Sequence, residues 1–491
     1  MKERASGILL PVFSLPSDYG IGTFGKEAYE FIDILNATRQ KYWQVLPLCP
    51  TGYGDSPYQS FSTFAGNPYF IDLDILVSED LLSKEECDEV DFGSNNCCIE
   101  YEKLYHGRYA LLEKAFERFV NWETKDYTEF IEQNALWLHD YCLYMAIKGR
   151  FNHTAWWEWD EDIKFRQSDA LQRYTEELAE EIKFHYFLQY CFIKQWKALK
   201  KYANEKEIRI FGDLPIYTAL DSADVWANPS LFQLDKGLNP QYVAGVPPDA
   251  FSDQGQLWGN PLYNWEYHKN EGYHWWINRI AHATRLFDMV RIDHFRAFDA
   301  YWSIPYGEAN AVVGEWCQGP GMDLFLEMKG KLGHINIVAE DLGVQTEGLH
   351  KLLQQTGFPG MKVLQFGIND GEDSEHLPHN YTNESIVYTG THDNSTLLQW
   401  YRDLNGTDRA FLNRYCRVTS DKPNYDIIAT IFQSTANLVI IPLQDYLELG
   451  GEARINRPST VEGNWRWRLD KGQLHTKIQN RITELTKTFF R

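Results

Sequence analysis

The sequence predicts an α/β protein: a (β/α)8 barrel with inserted, mostly helical subdomains and a long loop over the C-terminal face of its strands. Three observations predict it. Short apolar runs bounded by polar residues or glycine recur eight times, as buried parallel strands do. Helix-like stretches separate them, the alternation that builds parallel sheets. Most of the runs also end in ionisable side chains, where a barrel of this kind gathers its chemistry.

In chain order, the first two runs are GILLPVF (7–13) and YWQVLPL (42–48). About 160 residues then pass before the third, far more than one crossover helix needs. That stretch is charged and helix-like (YALLEKAFERFV, QRYTEELAEEIKFHYFLQYCFIKQWKALKKY), which predicts a largely helical insertion over 73–205. The third run is IRIFGDLP (208–215), followed by a second insertion over 217–287. Within that insertion, 246–265 carries tandem prolines (Pro247, Pro248), bend-forming Gly255 and Gly259, and Trp258. Such a composition reads as a structured lid loop over a cleft. A helix-like stretch, GYHWWINRIAHATRLF, leads into the fourth run, DMVRIDHF (288–295). The last four are INIVAEDL (335–342), MKVLQFGI (361–368), SIVYTGTHD (385–393) and NLVIIPLQD (437–445). Residues 1–491 are therefore expected to form a single barrel domain.

The fourth run is the most informative. Side chains alternate along a strand, so Arg291 and Asp293 share one face while Val290 and Ile292 share the other. A buried charge is costly unless it is paired or used. In a closed barrel the apolar face packs on helices and the ionisable one reaches the cavity at the strand end. Other runs end alike: the third in Asp213, the fifth in Glu340 and Asp341, the seventh in His392 and Asp393, the eighth in Gln444 and Asp445. Together these ends predict a catalytic carboxylate cluster.

Charge and composition exclude several partners. A formal net charge of −22 repels nucleic-acid phosphates and anionic membranes but is indifferent to neutral ligands such as sugars. The N-terminal residues enter a first strand without a signal-peptide pattern, and no apolar run approaches the roughly 20 residues of a membrane span. The cysteines are scattered, Cys97 and Cys98 adjacent, with no Cys-x-x-Cys pair, so reduced thiols in a cytoplasmic protein are expected. No metal or cofactor is expected. The first strand has no His-x-His, and His294 and His392 are each flanked by aspartate without a ligand partner. Aromatic residues reach 15%, which mostly means packing and tilts only slightly toward a sugar cleft.

Carboxylates with an arginine and no metal suit glycosidic-bond chemistry, which needs one carboxyl as nucleophile and another as acid and then base. Arg291, beside Asp293 on one strand face, is placed to keep it ionised. Seven segments in order then make the chain recognisable: GYGDSPYQSFSTFAGNPYF (52–70), GDLPIYTALDSADVWANP (212–229), VPPDAFSDQGQLWGNPLYNW (246–265), RIDHFRAF (291–298), VAEDLG (338–343), YTGTHDN (388–394) and EGNWRWR (462–468). Over essentially its full length the sequence resembles the 4-α-glucanotransferases called amylomaltases or disproportionating enzymes, relatives of the α-amylase superfamily.

The resemblance implies roles at matching positions. Asp293 matches the nucleophile, Glu340 the acid/base, and Asp393 a third carboxylate gripping the reacting sugar. Asp213, Arg291 and His392 match residues that position that sugar. Ser56 and Tyr58 match the cleft wall, Tyr58 as a stacking surface, and Tyr53 an aromatic guiding glucan outside the centre. Trp258 is expected to offer its face to a glucose ring. The implied partners are α-1,4-glucans, maltooligosaccharides and glucose. An α-amylase-type hydrolase and a catalytically inert glucan-binding protein are the competing readings. RINRPST (454–460) departs from the family, which favours glycine at Ser459. Asp341 is expected to cap or brace a neighbour, Asp445 to begin a helix, TAWWEWD (154–160) to pack a subdomain, and His294 either to pack or to face ligand.

Overall fold

A computed structural model describes residues 3–120, 122–249, 252–419 and 422–491, with Tyr53 described by its backbone alone. Twelve strands, β1 to β12 in chain order, fall into two sheets among these residues. Eight are parallel and correspond one to one with the eight apolar runs. They are β1 (Ala5–Leu9), β2 (Tyr42–Gln44), β3 (Arg209–Leu214), β6 (Met289–Ile292), β9 (Ile337–Ala339), β10 (Met361–Val363), β11 (Ile386–Tyr388) and β12 (Leu438–Pro442). Their order, β10-β11-β12-β1-β2-β3-β6-β9, runs around a nearly closed barrel surrounded by helices. At the remaining seam the Ala339 N–H donates to the Pro359 carbonyl (2.9 Å) and the Met361 N–H to Asp341 Oδ1 (2.7 Å). Asp341 thus braces β9 against β10.

Alternation along the strands sorts the apolar residues into two cores. Ala5, Leu9, Tyr42, Phe211, Met289, Val338, Val363, Tyr388 and Ile440 pack with one another in the barrel interior. Ile8, Trp43, Ile210, Val290, Ile292, Val387 and Ile441 belong to the larger core shared with the surrounding helices. Strand β6 therefore presents Met289, Arg291 and Asp293 inward, as its sequence requires. Gly7 is needed for the interior to close: a Cβ there would lie 2.6 Å from Tyr42 Cβ and 2.7 Å from Ile440 Cδ1.

Between β2 and β3 the chain is helical. Its last and longest helix, Ala179–Glu205, buries Phe187, Phe192, Trp196 and Leu199 at helical spacing. The Trp196 indole N–H donates to the Leu286 carbonyl (3.0 Å), fixing this helix to the one that precedes β6. Buried Arg108 donates to the carbonyls of Ile71 and Tyr19, and buried Lys148 pairs with Asp221 (2.6 Å), so polar ties bind these helices to the barrel. Trp156 and Trp159 are buried here, as expected of TAWWEWD.

The segment read as a loop, 246–265, is largely a hairpin. Strand β4 (Tyr242–Val246) pairs antiparallel with β5 (Gln256–Pro261), and β7 (Ala300–Pro305) and β8 (Glu315–Gln318) extend the sheet in the order β5-β4-β7-β8. QLWGNP has no alternating apolar pattern and contains glycine and proline, so its strand character comes from its partner. Gly255 and Gly259 have positive φ (65° and 77°), which lets the hairpin turn tightly and its register shift between Val243 and Gly245. Ala250 and Phe251 lie outside the described residues.

Candidate active site

The site grows from the register of two strands. Asp213 on β3 and Arg291 on β6 are direct partners across the ladder, so both side chains point inward at one level. Arg291 Nη1 donates to both carboxylate oxygens of Asp213 (2.8 and 2.7 Å), and Nη2 donates to Asp293 Oδ1 (2.7 Å). The Tyr58 hydroxyl donates to Asp213 Oδ2 (2.8 Å). Burial works against the Arg291 charge, but Asp213 and Asp293 outweigh it and raise its pKa well above the ordinary value.

Glu340 follows β9, next to β6 in the ring. Its Oε2 accepts the His294 N–H (2.7 Å) and its Oε1 the Leu342 N–H (2.9 Å), which fixes the carboxyl. His294 aims its N–H there from a left-handed conformation (φ 52°), uncommon for a residue other than glycine. Its ring packs edge-on against Trp258 (centroids 4.8 Å apart), so the imidazole is a packed one. Burial pushes the Glu340 carboxyl up to about 8; Arg291 and the two N–H groups pull the other way and the Asp293 charge adds to the rise. Burial also raises Asp293, against the pull of Arg291 and with Asp213 and Asp393 adding. These two carboxyls titrate as a pair. Only Asp293 is hydrogen-bonded to the guanidinium, so the negative charge settles on Asp293 and the proton stays on Glu340.

A third carboxylate enters after β11. Asp393 Oδ1 accepts from Asn456 Nδ2 (2.7 Å) and lies 3.4 Å from His392 Nε2. Its main-chain oxygen accepts from Arg454 Nη2 (2.6 Å). The His392 ring stacks on Tyr58 (5.1 Å, 14° between planes), and both rings meet Trp465. Tyr58 therefore gives one face to His392 and its hydroxyl to Asp213. The Ser56 hydroxyl accepts the Tyr58 N–H (3.2 Å) and shapes the turn that presents it. Trp258, half-buried on β5, donates through its indole N–H to Gln256 Oε1 (3.1 Å). Gln59 reaches Asn260 Oδ1 (3.1 Å), tying the hairpin to the segment that holds Ser56 and Tyr58. The side chain of Tyr53 lies outside the described residues.

The structure brings Asp213, Arg291, Asp293, Glu340, His392, Asp393, Ser56, Tyr58 and Trp258 to the C-terminal end of the barrel strands and the turns beside it. Asp445 lies within the short helix Leu443–Tyr446; its carboxylate accepts from Thr389 Oγ1 (2.6 Å) and the Leu397 N–H (2.8 Å) and joins two elements. Among the described residues, no three His, Cys, Asp or Glu side chains converge as a metal cage needs. Sequence reasoning missed Asn456, Arg454 and Trp465. They sit in RINRPST and EGNWRWR, segments noticed for their pattern but given no chemistry. Ser459 in that late loop has φ 63°, which explains why glycine suits the position.

Comparison with known proteins agrees with this geometry. The sequence profile of the family described as 4-alpha-glucanotransferase matches residues 10–474. A 4-alpha-glucanotransferase of Streptococcus pneumoniae is 48% identical over 495 residues, spanning 100% of this chain and 98% of its own. That of Clostridium butyricum is 48% identical over 484 residues, spanning 98% of this chain and 99% of its own. Among solved structures, the amylomaltase from Streptococcus agalactiae in complex with acarbose matches with a TM-score of 0.97 at 44% identity, covering all of both chains. The amylomaltase from Corynebacterium glutamicum shares the fold at 17% identity (TM-score 0.79, covering 98% of this chain and 75% of that one).

Proposed function

This chain belongs to the 4-alpha-glucanotransferase family and is a glucan-transferring enzyme; we propose that it moves a segment of an α-1,4-glucan to the 4-hydroxyl of an acceptor glucan or glucose by a retaining double displacement. Asp293 attacks the anomeric carbon while Glu340 protonates the departing 4-oxygen. The acceptor enters, Glu340 takes the proton from its 4-hydroxyl, and that oxygen displaces the Asp293 carboxylate with net retention. Asp393, held by Asn456 and His392, grips hydroxyls of the reacting sugar, and Arg291 with Asp213 fixes the nucleophile.

One observation carries this reading. Of two neighbouring carboxyls, Asp293 is hydrogen-bonded to a buried guanidinium, and Glu340, not bonded to it, keeps its proton up to about 8. That separation supplies a nucleophile and an acid at neutral pH. The Trp258 hairpin supports transfer over hydrolysis by shielding the glycosyl–enzyme from water until a sugar arrives. Maltooligosaccharides and glucose are the proposed donors and acceptors. A cytoplasmic location is proposed from the eight free cysteines, which suit a reducing compartment.

The test uses Glu340→Gln with an α-maltosyl fluoride donor, whose leaving group needs no proton. A glycosyl adduct found by mass spectrometry on the peptide holding Asp293 is the expected result. An adduct on another residue would overturn the assigned roles, and a gain in reducing ends from maltotriose in wild type, in place of chain-length redistribution, would overturn transfer.

A further inference from the structure

Two residues beyond His294, Arg296 has no part in the mechanism above. It is 4% exposed, in the short 3-10 turn Phe295–Phe298 that leads toward β7. Its guanidinium carbon stands 4.1 Å from the centre of the Trp316 ring on β8, a stacking that orients the planar fork. Among the described residues, no oxygen accepts a hydrogen bond from that guanidinium, no carboxylate lies within 4 Å of it, and its Nε is fully buried without a partner. Asp299 is felt electrostatically, but its carboxylate accepts from Thr346 (3.0 Å). Burial accordingly pulls the Arg296 pKa below its ordinary value.

Among the described residues every other buried arginine donates to at least one oxygen, although Arg108 Nε and Arg468 Nη1 also lack a partner. Arg279 donates to Thr63, Ile216, Tyr263 and Pro215, and Arg291 holds two carboxylates. A buried cation without acceptors carries a desolvation cost, which the Trp316 ring and the Asp299 charge offset only in part. A second polar group nearby has its hydroxyl free for a ligand. Tyr217, just past β3, lies close enough to feel the Arg296 charge, and the described residues give its hydroxyl no hydrogen bond. Its ring stands 6.2 Å from Trp258, which in turn meets His294.

The place is as informative as the vacant donors. Glu340 must sit beside the oxygen that leaves and the oxygen that enters, and its carboxyl rests on the His294 N–H, two residues before Arg296. Tyr58, His392 and Asp393 gather beside Asp293, and none of the three is hydrogen-bonded to Arg296. We propose that Arg296 is an acceptor-side sugar-binding residue, its fork donating to the vicinal 2- and 3-hydroxyls of an incoming α-glucan unit that Trp316, Tyr217 and Trp258 line. This rests on the transfer reading given above. A neutral polyol suits the place better than an anion, because Asp293 and Glu340 stand nearby and aromatic walls suit a pyranose face.

The experiment separates donor from acceptor. Arg296→Met keeps a stem to lie on Trp316 and removes the donors. Adduct formation from α-maltosyl fluoride is timed first; then kcat/KM is measured for glucose, 2-deoxyglucose and 3-deoxyglucose as acceptors of the glycosyl–enzyme. The expected result is an acceptor kcat/KM about tenfold or more lower in Arg296→Met, a loss at least several-fold greater than any loss in adduct formation. Wild type should discriminate against at least one deoxy acceptor, and the variant should discriminate less. Equal losses in both half-reactions, or undiminished discrimination in the variant, would overturn the proposal. If Arg296→Met does not fold, wild type decides: equal use of all three acceptors would overturn it. Absence of any adduct in Glu340→Gln would instead strike the transfer mechanism itself.

Discussion

The pH dependence of the first half-reaction tests the central electrostatic reasoning. With the Glu340 carboxyl pushed up to about 8, roughly nine-tenths of it is protonated at pH 7 and roughly one-tenth at pH 9. A glutamate at its ordinary value would be protonated in only about 0.3% of molecules at pH 7, so burial raises the competent fraction roughly 300-fold. For maltotriose, whose leaving oxygen needs a proton, kcat/KM should therefore fall about tenfold between pH 7 and pH 9. For α-maltosyl fluoride, whose leaving group needs none, adduct formation should lack that limb. Stopped-flow fluoride release against maltotriose disproportionation, both across pH 6 to about 10, compares the two directly. If the limb near 8 appears with both donors, or persists in Glu340→Gln, the titrating group is not Glu340 and the assignment of acid and nucleophile fails.

Four further outcomes follow from the same geometry. The native Glu340 carboxyl keeps its proton up to about 8 while the unfolded one releases it near its ordinary value, so stability falls as pH rises through that window, by about 5 kcal/mol in all; Glu340→Gln should thus melt about 3–5 °C above wild type at pH 9, with the gap closing near pH 4 in calorimetry. Asp213→Asn removes half of a buried ion pair and should cost about 3 kcal/mol, with turnover about a hundredfold lower as Arg291 loses its aim, read by denaturant melts and maltotriose assays. Trp258→Ala should fold normally yet raise the ratio of new reducing ends to redistributed chains; an unchanged ratio would remove the hairpin from the account of transfer. Product stereochemistry followed by proton NMR should show α-linked products only, and an initial β-anomer would exclude double displacement.

The barrel was legible because its strands are short apolar bursts that no helix period explains, and because their ends carry charge. Arg291 and Asp293 declared their shared face through spacing alone, and the structure places Asp213 as a further acceptor for the same guanidinium. The small antiparallel sheet was not legible: QLWGNP, AYWSIP and EWCQ become strands through one another, and none alternates cleanly by itself. Asn456 and Trp465 stayed hidden for another reason. A neutral amide and an indole in a loop resemble any surface turn until folding brings them to Asp393 and His392, more than sixty residues earlier. Arg296 lay inside a recognised motif, but sequence cannot show that a charge lacks a partner.

The inner face of β6 passes from Met289 to Arg291 to Asp293 in steps of roughly 7 Å, with no joint between foundation and chemistry. Met289 is wedged among the barrel's lowest interior side chains, with Phe211 its partner across the ladder, so whatever tilts it tilts the nucleophile above. A conservative exchange in that footing, such as Met289→Leu, is therefore expected to act as a remote lever, re-aiming the attacking oxygen in a chain that still folds. The demand on packing thus extends below the site along the inner side of β6, to residues no sugar touches.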